Sequence, residues 1–392
     1  MSEAFVVAAV RTAGGRRGGR LAGWHPADLG ARVLDELLQR AHCDPALVDD
    51  VIMGCVSQVG EQAMNIARTA VLASKLPESV PGTTIDRQCG SSQQALHFAA
   101  QAVMSGSMDV VIAAGVESMT RVPMFSPVAL ASKAGLGSYA SPGLAERYPG
   151  VEFSQFLGAE MIAKKYGFTR AQLDAYALQS HERAAAATRA GAFDDEILAL
   201  PVRTAEGSTT GEQHRTDEGI RFDATAAGIG GVKLLQEGGC ISAANASQIC
   251  DGASGMLVVN ERGLKALGVQ PLARIHHMSV LGHDPVIMLE APIPATQRAL
   301  QKAGLRGADV DLFEVNEAFA PVPLAWAQAT DTDPARLNVH GGAIALGHPL
   351  GASGTRLMTT LLYALRRHGK RYGLQTMCEG GGMANVTIVE RL

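Results

Sequence analysis

GASGTRLMTTLLYALRR, residues 351–367, reads as a helix that opens on small residues and then carries a long apolar stripe. It has an earlier counterpart. GSSQQALHFAAQAVM (90–104) begins at Gly90, so the two helix starts are 261 residues apart (351 less 90). The same offset joins the strand-like runs DVIMGCV (50–56) and DLFEVNE (311–317). After each helix comes another strand-like run, DVVIAAGVES (109–118) and then YGLQTMCEGGG (372–382), aligned with a small gap. One spacing shared by strands and helix starts predicts two related halves about a pseudo-twofold axis.

Working outward, FVVAAV (5–10) is a buried-strand pattern and LGARVLDELLQRA (29–41) a helix, so each half reads β-α-β-α-β. That order predicts an α/β fold with much parallel sheet. The expected boundaries are 1–120 plus 250–270 for the first half, 121–249 for an insertion and 271–392 for the second half. Residues 125–150, rich in Ser, Gly, Ala and Pro, read as long loops. Thr169 and Gln172 form a capping-box signature for a helix running to about residue 190. An insertion of this length is expected to be a lid or a binding subdomain.

The 392 residues are 47% hydrophobic and 18% charged, which supplies large cores and argues against disorder. A net charge of −4 lacks the basic excess of a nucleic-acid binder. None of the six cysteines forms a C-x-x-C pair, and a core this large needs no disulfide staples, so reduced thiols are expected. MSEAFVVAAVRT lacks the basic start and long apolar run of a signal peptide, VERL is not a peroxisomal signal, and no apolar run approaches about 20 residues. The expectation is a cytoplasmic protein with no membrane partner.

Four stretches carry reactive residues. In TTIDRQCGSSQQALHFAA, Cys89 stands just before a helix, where the positive end of the macrodipole lowers a thiol pKa. In NVHGGAIALGHPLGASG, five glycines surround His348, a histidine able to serve a thiol as base. EVNEAFA puts Asn316 at a strand end, where an amide can donate to an oxyanion. TMCEGGGMAN sets Cys378 before three glycines whose N–H groups form an oxyanion nest. Each has a plainer reading: a structural cysteine, a solvated histidine, a capping asparagine. Their shared position at strand and helix ends in duplicated halves is the specific signal.

These stretches resemble the thiolases, the acetyl-CoA C-acyltransferases, over essentially the whole chain. The matching segments are RTAGG (11–15), DRQCGSS, GVESMTRVPM (115–124), NASQICDGA (245–253), NEAFA (316–320), GGAIALGHPLGASG (341–354) and TMCEGGG (376–382). The resemblance implies a five-layered αβαβα thiolase fold of duplicated halves with an inserted loop domain. It implies a homodimer or homotetramer, acyl-CoA substrates and no permanently bound cofactor beyond coenzyme A as substrate. By position, Cys89 is the acylated nucleophile, His348 its base and Cys378 the group that moves the α-proton. Asn316, through a water, and His348 hold one thioester oxygen, and the N–H groups of Cys89 and Gly380 hold the acyl oxygen. Arg221 and Ser247 match positions of the coenzyme A channel, and Ala318 and Phe319 lie beside the pantetheine arm.

Two departures bear on substrate and chemistry. Acetoacetyl-specific members carry His-Met-Gly where this chain has Phe156-Leu157-Gly158, which points to a longer or bulkier acyl group. Glu379 replaces an apolar residue, and Met383-Ala384 a Gln-Gly pair, beside the second thiol. HHMSVLGHD (276–284) fits no metal spacing, and RTAGGRRGG (11–19), lacking Gly-Lys-Ser/Thr, reads as a solvated basic loop. A non-catalytic relative is expected to lack a reactive Cys or the His. A decarboxylating synthase uses a second histidine where this chain has Cys378.

Overall fold

The computed structural model describes residues 2–392. Strands Gly82–Ile85, Asp50–Gly54 and Val110–Ser118 lie parallel, and Cys250–Val259 and Phe5–Thr12 extend the sheet by antiparallel pairing. The second half repeats this with Leu312–Val315, Tyr372–Glu379, Met383–Arg391 and Ala273–Gly282. The half-sheets join where Phe5 meets Arg274 and Val6 meets Ala273. Register sharpens the repeat. Gly54 pairs with Gly115 and Val315 with Thr376, and both members shift by 261 (315 less 54, 376 less 115). The offset therefore runs through the third strand without the small gap expected from sequence.

Five layers follow from which helix faces are apolar. Helices Pro26–Arg40 and Ile66–Leu72 cover one outer face with Leu29, Val33, Leu37, Ile66 and Ala70. Helices Pro292–Ala303 and Pro321–Thr330 cover the other, with Trp326 against Phe313. Between the sheets lie Ser91–Ser105 and Ser353–Arg367, the latter buried from Ser353 through Leu365. An outer helix needs one apolar stripe, whereas a central helix must be closed on all sides.

The central helices touch through glycine. A Cβ on Gly354 would stand 2.0 Å from the backbone N of Gln93, which is its own repeat mate (354 less 93 is 261). A residue that meets its own mate marks the pseudo-twofold axis. A Cβ on Gly115 would stand 2.3 Å from the Gly351 oxygen. The small residues of GASG are thus required by backbone approach, not by flexibility. Gly354→Ala is expected to cost about 3 kcal/mol or more through overpacking. A denaturation midpoint equal to that of the wild type would refute this contact.

In the insertion, the segment expected as loops contains two short exposed helices, Ser126–Lys133 and Pro142–Arg147. The second starts on Pro142 with the Ser141 hydroxyl accepting from Leu144 N–H, a local start signal hidden in a loop-like composition. Helix Arg170–Arg189 opens on the capping box of Thr169 and Gln172, as expected. The reading of residues 11–19 as solvated fails at Arg11. It lies in strand Phe5–Thr12, fully buried, with Nε 2.5 Å from Glu196 and Nη1 2.8 Å from Asp217. Its alternating neighbours are apolar on both sides because the strand is covered on both faces. Only its paired acids make the buried charge tolerable, and both come from the insertion, which Arg11 ties to the first half.

Candidate active site

Cys89 stands on the turn between strand Gly82–Ile85 and helix Ser91–Ser105. Gln88 has a φ of +50° and its N–H donates to Asp86 Oδ1 at 2.6 Å, while the Ser91 hydroxyl donates to the Gln88 carbonyl at 2.6 Å. These bonds tighten the turn that carries Cys89. Cys89 keeps part of its surface open, whereas Cys378 is completely buried. The sequence expectation of a lowered Cys89 pKa is overturned. Desolvation, then the Glu379 carboxylate, push its thiol up to about 12, against opposing N–H groups of Cys89 itself and Gly380. The helix-end field exists, but burial outweighs it.

Cys378 is the penultimate residue of strand Tyr372–Glu379 and pairs with Ala384. Its thiol is also pushed up, first by burial, then by Cys89 and Glu379. Gly381 and Gly382 follow at φ of +84° and +74°, a left-handed pair that turns the chain back into strand Met383–Arg391. This turn aims the Gly380 N–H toward Cys89, close enough to favour its thiolate, so one loop acts on both thiols.

His348 follows the short helix Ala343–Leu346, and its N–H donates to the Gln248 carbonyl at 2.9 Å. The Ser353 hydroxyl donates to the Pro349 carbonyl and lies 2.5 Å from His348 Nδ1. Ser353 oxygen therefore accepts from Nδ1–H, which leaves Nε2 as the unprotonated nitrogen. Asn316 Nδ2 lies 3.4 Å from that nitrogen. Burial, then the Arg356 charge, lower the His348 pKa to about 3, so the ring is neutral. The Asn316 N–H donates to the Thr376 carbonyl, which ties the amide to the strand of Cys378.

Two supporting residues escaped the sequence reading. Ser353 fixes the tautomer of His348, and the only clue was a hydroxyl one turn after the histidine. Glu317 accepts from Tyr176 and Ser180 hydroxyls at 3.0 and 2.7 Å, from Asn338 Nδ2 at 3.2 Å and from Ile344 N–H at 3.0 Å. It locks the loop of Asn316 to the loop of His348. The repeat mates tell a related story: Cys378 corresponds to Glu117 and Asn316 to Cys55, each by 261 (378 less 117, 316 less 55). Glu117 accepts from the N–H groups of Val56, Ser57 and Gly351 and from Gln62.

Of the proposed coenzyme A residues, Ala318 and Phe319 pack in the same cluster as Cys378. Arg221 lines a cavity of about 410 Å³ with His181, Asp223, Ala244, Gln248 and Ile344. Gln248 is also the residue whose carbonyl holds His348, so this cavity adjoins the base. The Ser247 N–H donates to the Ala318 carbonyl, and Ala246 bridges to Phe319, which lays the two segments side by side. Leu157 lies on helix Gln155–Tyr166, half-exposed, and the neighbouring Phe156 ring meets Phe319 edge-on at 5.6 Å. A larger cavity, about 700 Å³ between Arg183, His340 and Lys370, contains none of the candidate residues.

Comparisons with known proteins point to one family. Residues 4–262 match the model for the thiolase N-terminal domain and residues 269–391 that for the thiolase C-terminal domain. A steroid 3-ketoacyl-CoA thiolase, FadA6 of Mycobacterium tuberculosis, is 54% identical, with 100% of this chain and 95% of that protein covered. A 3-ketoacyl-CoA thiolase of Cronobacter sakazakii is 41% identical over the full length of both. The crystal structure of human mitochondrial 3-ketoacyl-CoA thiolase superposes with a TM-score of 0.88 at 36% identity, covering 100% of this chain and 99% of that one. That of Bacillus anthracis acetyl-CoA acetyltransferase gives 0.90 at 35%, with the same coverage. With both halves matched and full-length relatives at this identity, the chain belongs to the thiolase family.

Proposed function

We propose that this thiolase cleaves 3-ketoacyl-CoA esters with a bulky, apolar acyl part, yielding acetyl-CoA and an acyl-CoA shorter by two carbons. The observation that carries the reading is the pair of thiols joined by the Gly380 turn, one open and one buried. Cys89 gives its proton to His348 Nε2 and attacks the 3-keto carbon. The bond between C2 and C3 breaks, and the enolate carbon takes the proton of Cys378. Coenzyme A then enters and loses its thiol proton to Cys378. Its sulfur takes the acyl group, and Cys89 recovers its proton from His348. All three groups return to their starting state, and two easier transfers replace one difficult exchange.

Neutral resting groups suit this cycle. A His348 with an unprotonated Nε2 is an acceptor for the Cys89 proton, and a protonated Cys378 is an acid ready for a carbanion. The N–H groups of Cys89 and Gly380 are the donors for the acyl oxygen, and Asn316 with His348 for the acetyl thioester oxygen. The Arg221 cavity beside Gln248 is where part of the coenzyme A would lie, with Arg221 as a cation for its phosphates. An open edge strand, Gly82–Ile85, with the exposed Met64 beside it, is the surface a dimer or tetramer would use.

The bulky acyl part is supported by the apolar Phe156, Leu157 and Phe319 near the site, and by the 54% identical relative named for steroid substrates. Thiolysis rates for a graded series of esters test it. The expected kcat/KM for a ring-bearing 3-ketoacyl-CoA exceeds that for acetoacetyl-CoA by about tenfold or more. A preference for acetoacetyl-CoA refutes the reading.

A further inference from the structure

Strand alternation sends Cys378 to one face of the second half-sheet and Glu379 to the other, toward the start of helix Ser91–Ser105. There Glu379 is completely buried. A Cβ on Gly90 would stand 2.0 Å from its Oε1, so the carboxyl lies against the residue that follows Cys89. Neither carboxyl oxygen has a hydrogen-bond partner among the described residues. Asn385 Oδ1 borders the same glycine, 3.1 Å from that Cβ position, and also lacks a donor. The Asn385 amide nitrogen is committed elsewhere, 3.2 Å from Gln94 Oε1 and 3.3 Å from His97 Nδ1. The Asn385 backbone N–H acts on the carboxylate without closing a full hydrogen bond, so these crowded acceptor oxygens favour a proton. A protonated Glu379 supplies it.

The surrounding charges decide when that proton leaves. On the Cys89 turn are Asp86 and Arg87, and on the adjacent helix His97. On the strand of Glu379 itself is Cys378, and across the glycine turn are His283 and Asp284. Arg87 forms no ion pair with Glu379; its Nη1 lies 3.8 Å from Met383 Sδ and its Nε has no partner. His97 is neutral, its pKa lowered to about 3 chiefly by burial. Desolvation pushes the Glu379 carboxyl up to about 8, with Arg87 and then the Asn385 N–H pulling in the opposite sense. Below that pH the acid is neutral, and above it a negative charge stands near enough to act on both thiols. A like charge disfavours thiolate formation.

We propose that Glu379 is a positioning residue that gates the two thiols by its charge: neutral, it backs the Cys89 turn; ionised, it withholds the thiolate of Cys89 and Cys378. This deepens the two-thiol reading of the site and rests on it. The consequence is an alkaline fall in activity set by a carboxylic acid rather than by a base.

The test alkylates the whole enzyme with iodoacetamide, without substrate, and follows Cys89 by mass spectrometry across the alkaline range. In E379Q the rate at about pH 9 is expected to be about tenfold higher than in the wild type, one pKa unit of thiol. The alkaline limb of kcat/KM moves to higher pH in the same variant. Infrared spectra of the wild type should lose a protonated-carboxyl C=O band between about pH 7 and about pH 9.5 that E379Q lacks. If E379Q does not fold, Glu379→Met removes the acid at similar volume. Superimposable alkylation profiles, or no titrating carboxyl band, overturn the proposal. An inactive Cys89→Ala enzyme alongside superimposable Glu379 profiles overturns the gate alone and leaves the thiolase site standing.

Discussion

Cys89→Ala is expected to lower kcat for thiolysis on the order of 10⁴-fold to 10⁶-fold, the scale seen when a covalent nucleophile is removed. Alanine leaves the Gly380 N–H, His348 and Asn316 in place, so substrate binding survives while the covalent step does not. Mass spectrometry of the enzyme with acetyl-CoA is the decisive measurement. The wild type gains one acetyl group on Cys89, and the variant gains none. An acetyl group on any other active-site residue of the variant would overturn the assignment. Because Cys89 is partly open, loss of its small side chain is not expected to unfold the turn, which Asp86 and Ser91 hold through backbone contacts.

Cys378→Ala separates the two half-reactions. Acylation of Cys89 by acetyl-CoA needs the first thiol, the base and the Gly380 N–H, all of which remain, and the coenzyme A it releases is a stable thiolate that can leave without the Cys378 proton. Carbon–carbon bond cleavage also needs an acid at the enolate carbon, and that acid is gone. The variant should therefore acetylate Cys89 yet show thiolysis lower by about 10³-fold to 10⁴-fold, near the upper range for general acid–base catalysis. Equal losses in both half-reactions would place Cys378 in the acyl step and refute its role. The thiol is buried among apolar residues of the second half, so a cavity accompanies the change. Retained acetylation is the control that the site still folds.

Much of this site is legible in the chain because its parts sit at local signals. Cys89 precedes a helix, Asn316 follows a strand, and Cys378 precedes glycines, each recognisable without tertiary contacts. The repeat was legible because one offset carries strands and helix starts alike; its register was not, since only strand pairing excludes a one-residue slip. Arg11 looked solvated because Glu196 and Asp217, which neutralise it, are about 200 residues away. The Cys89 thiol was misjudged for a similar reason. A macrodipole can be read from position, whereas desolvation and the approach of Glu379 exist only after the sheets close. Ser353 and Glu317 were missed because a serine in a small-residue run and a glutamate in a strand-end loop carry no local mark.

The repeat mates Glu117 and Cys378 show that duplication here divided labour. In the second half the position holds a reactant. In the first it holds a carboxylate that grips four donors, one of them the Gly351 N–H at the root of the loop that bears His348. On the proposed mechanism the first half thus supplies both the nucleophile and the abutment for the other half's base, while its own equivalent position holds Glu117. The reactive centre is a seam and belongs to neither copy. A polypeptide cut between the halves would leave two fragments with recognisable sheets and no complete reaction chamber in either.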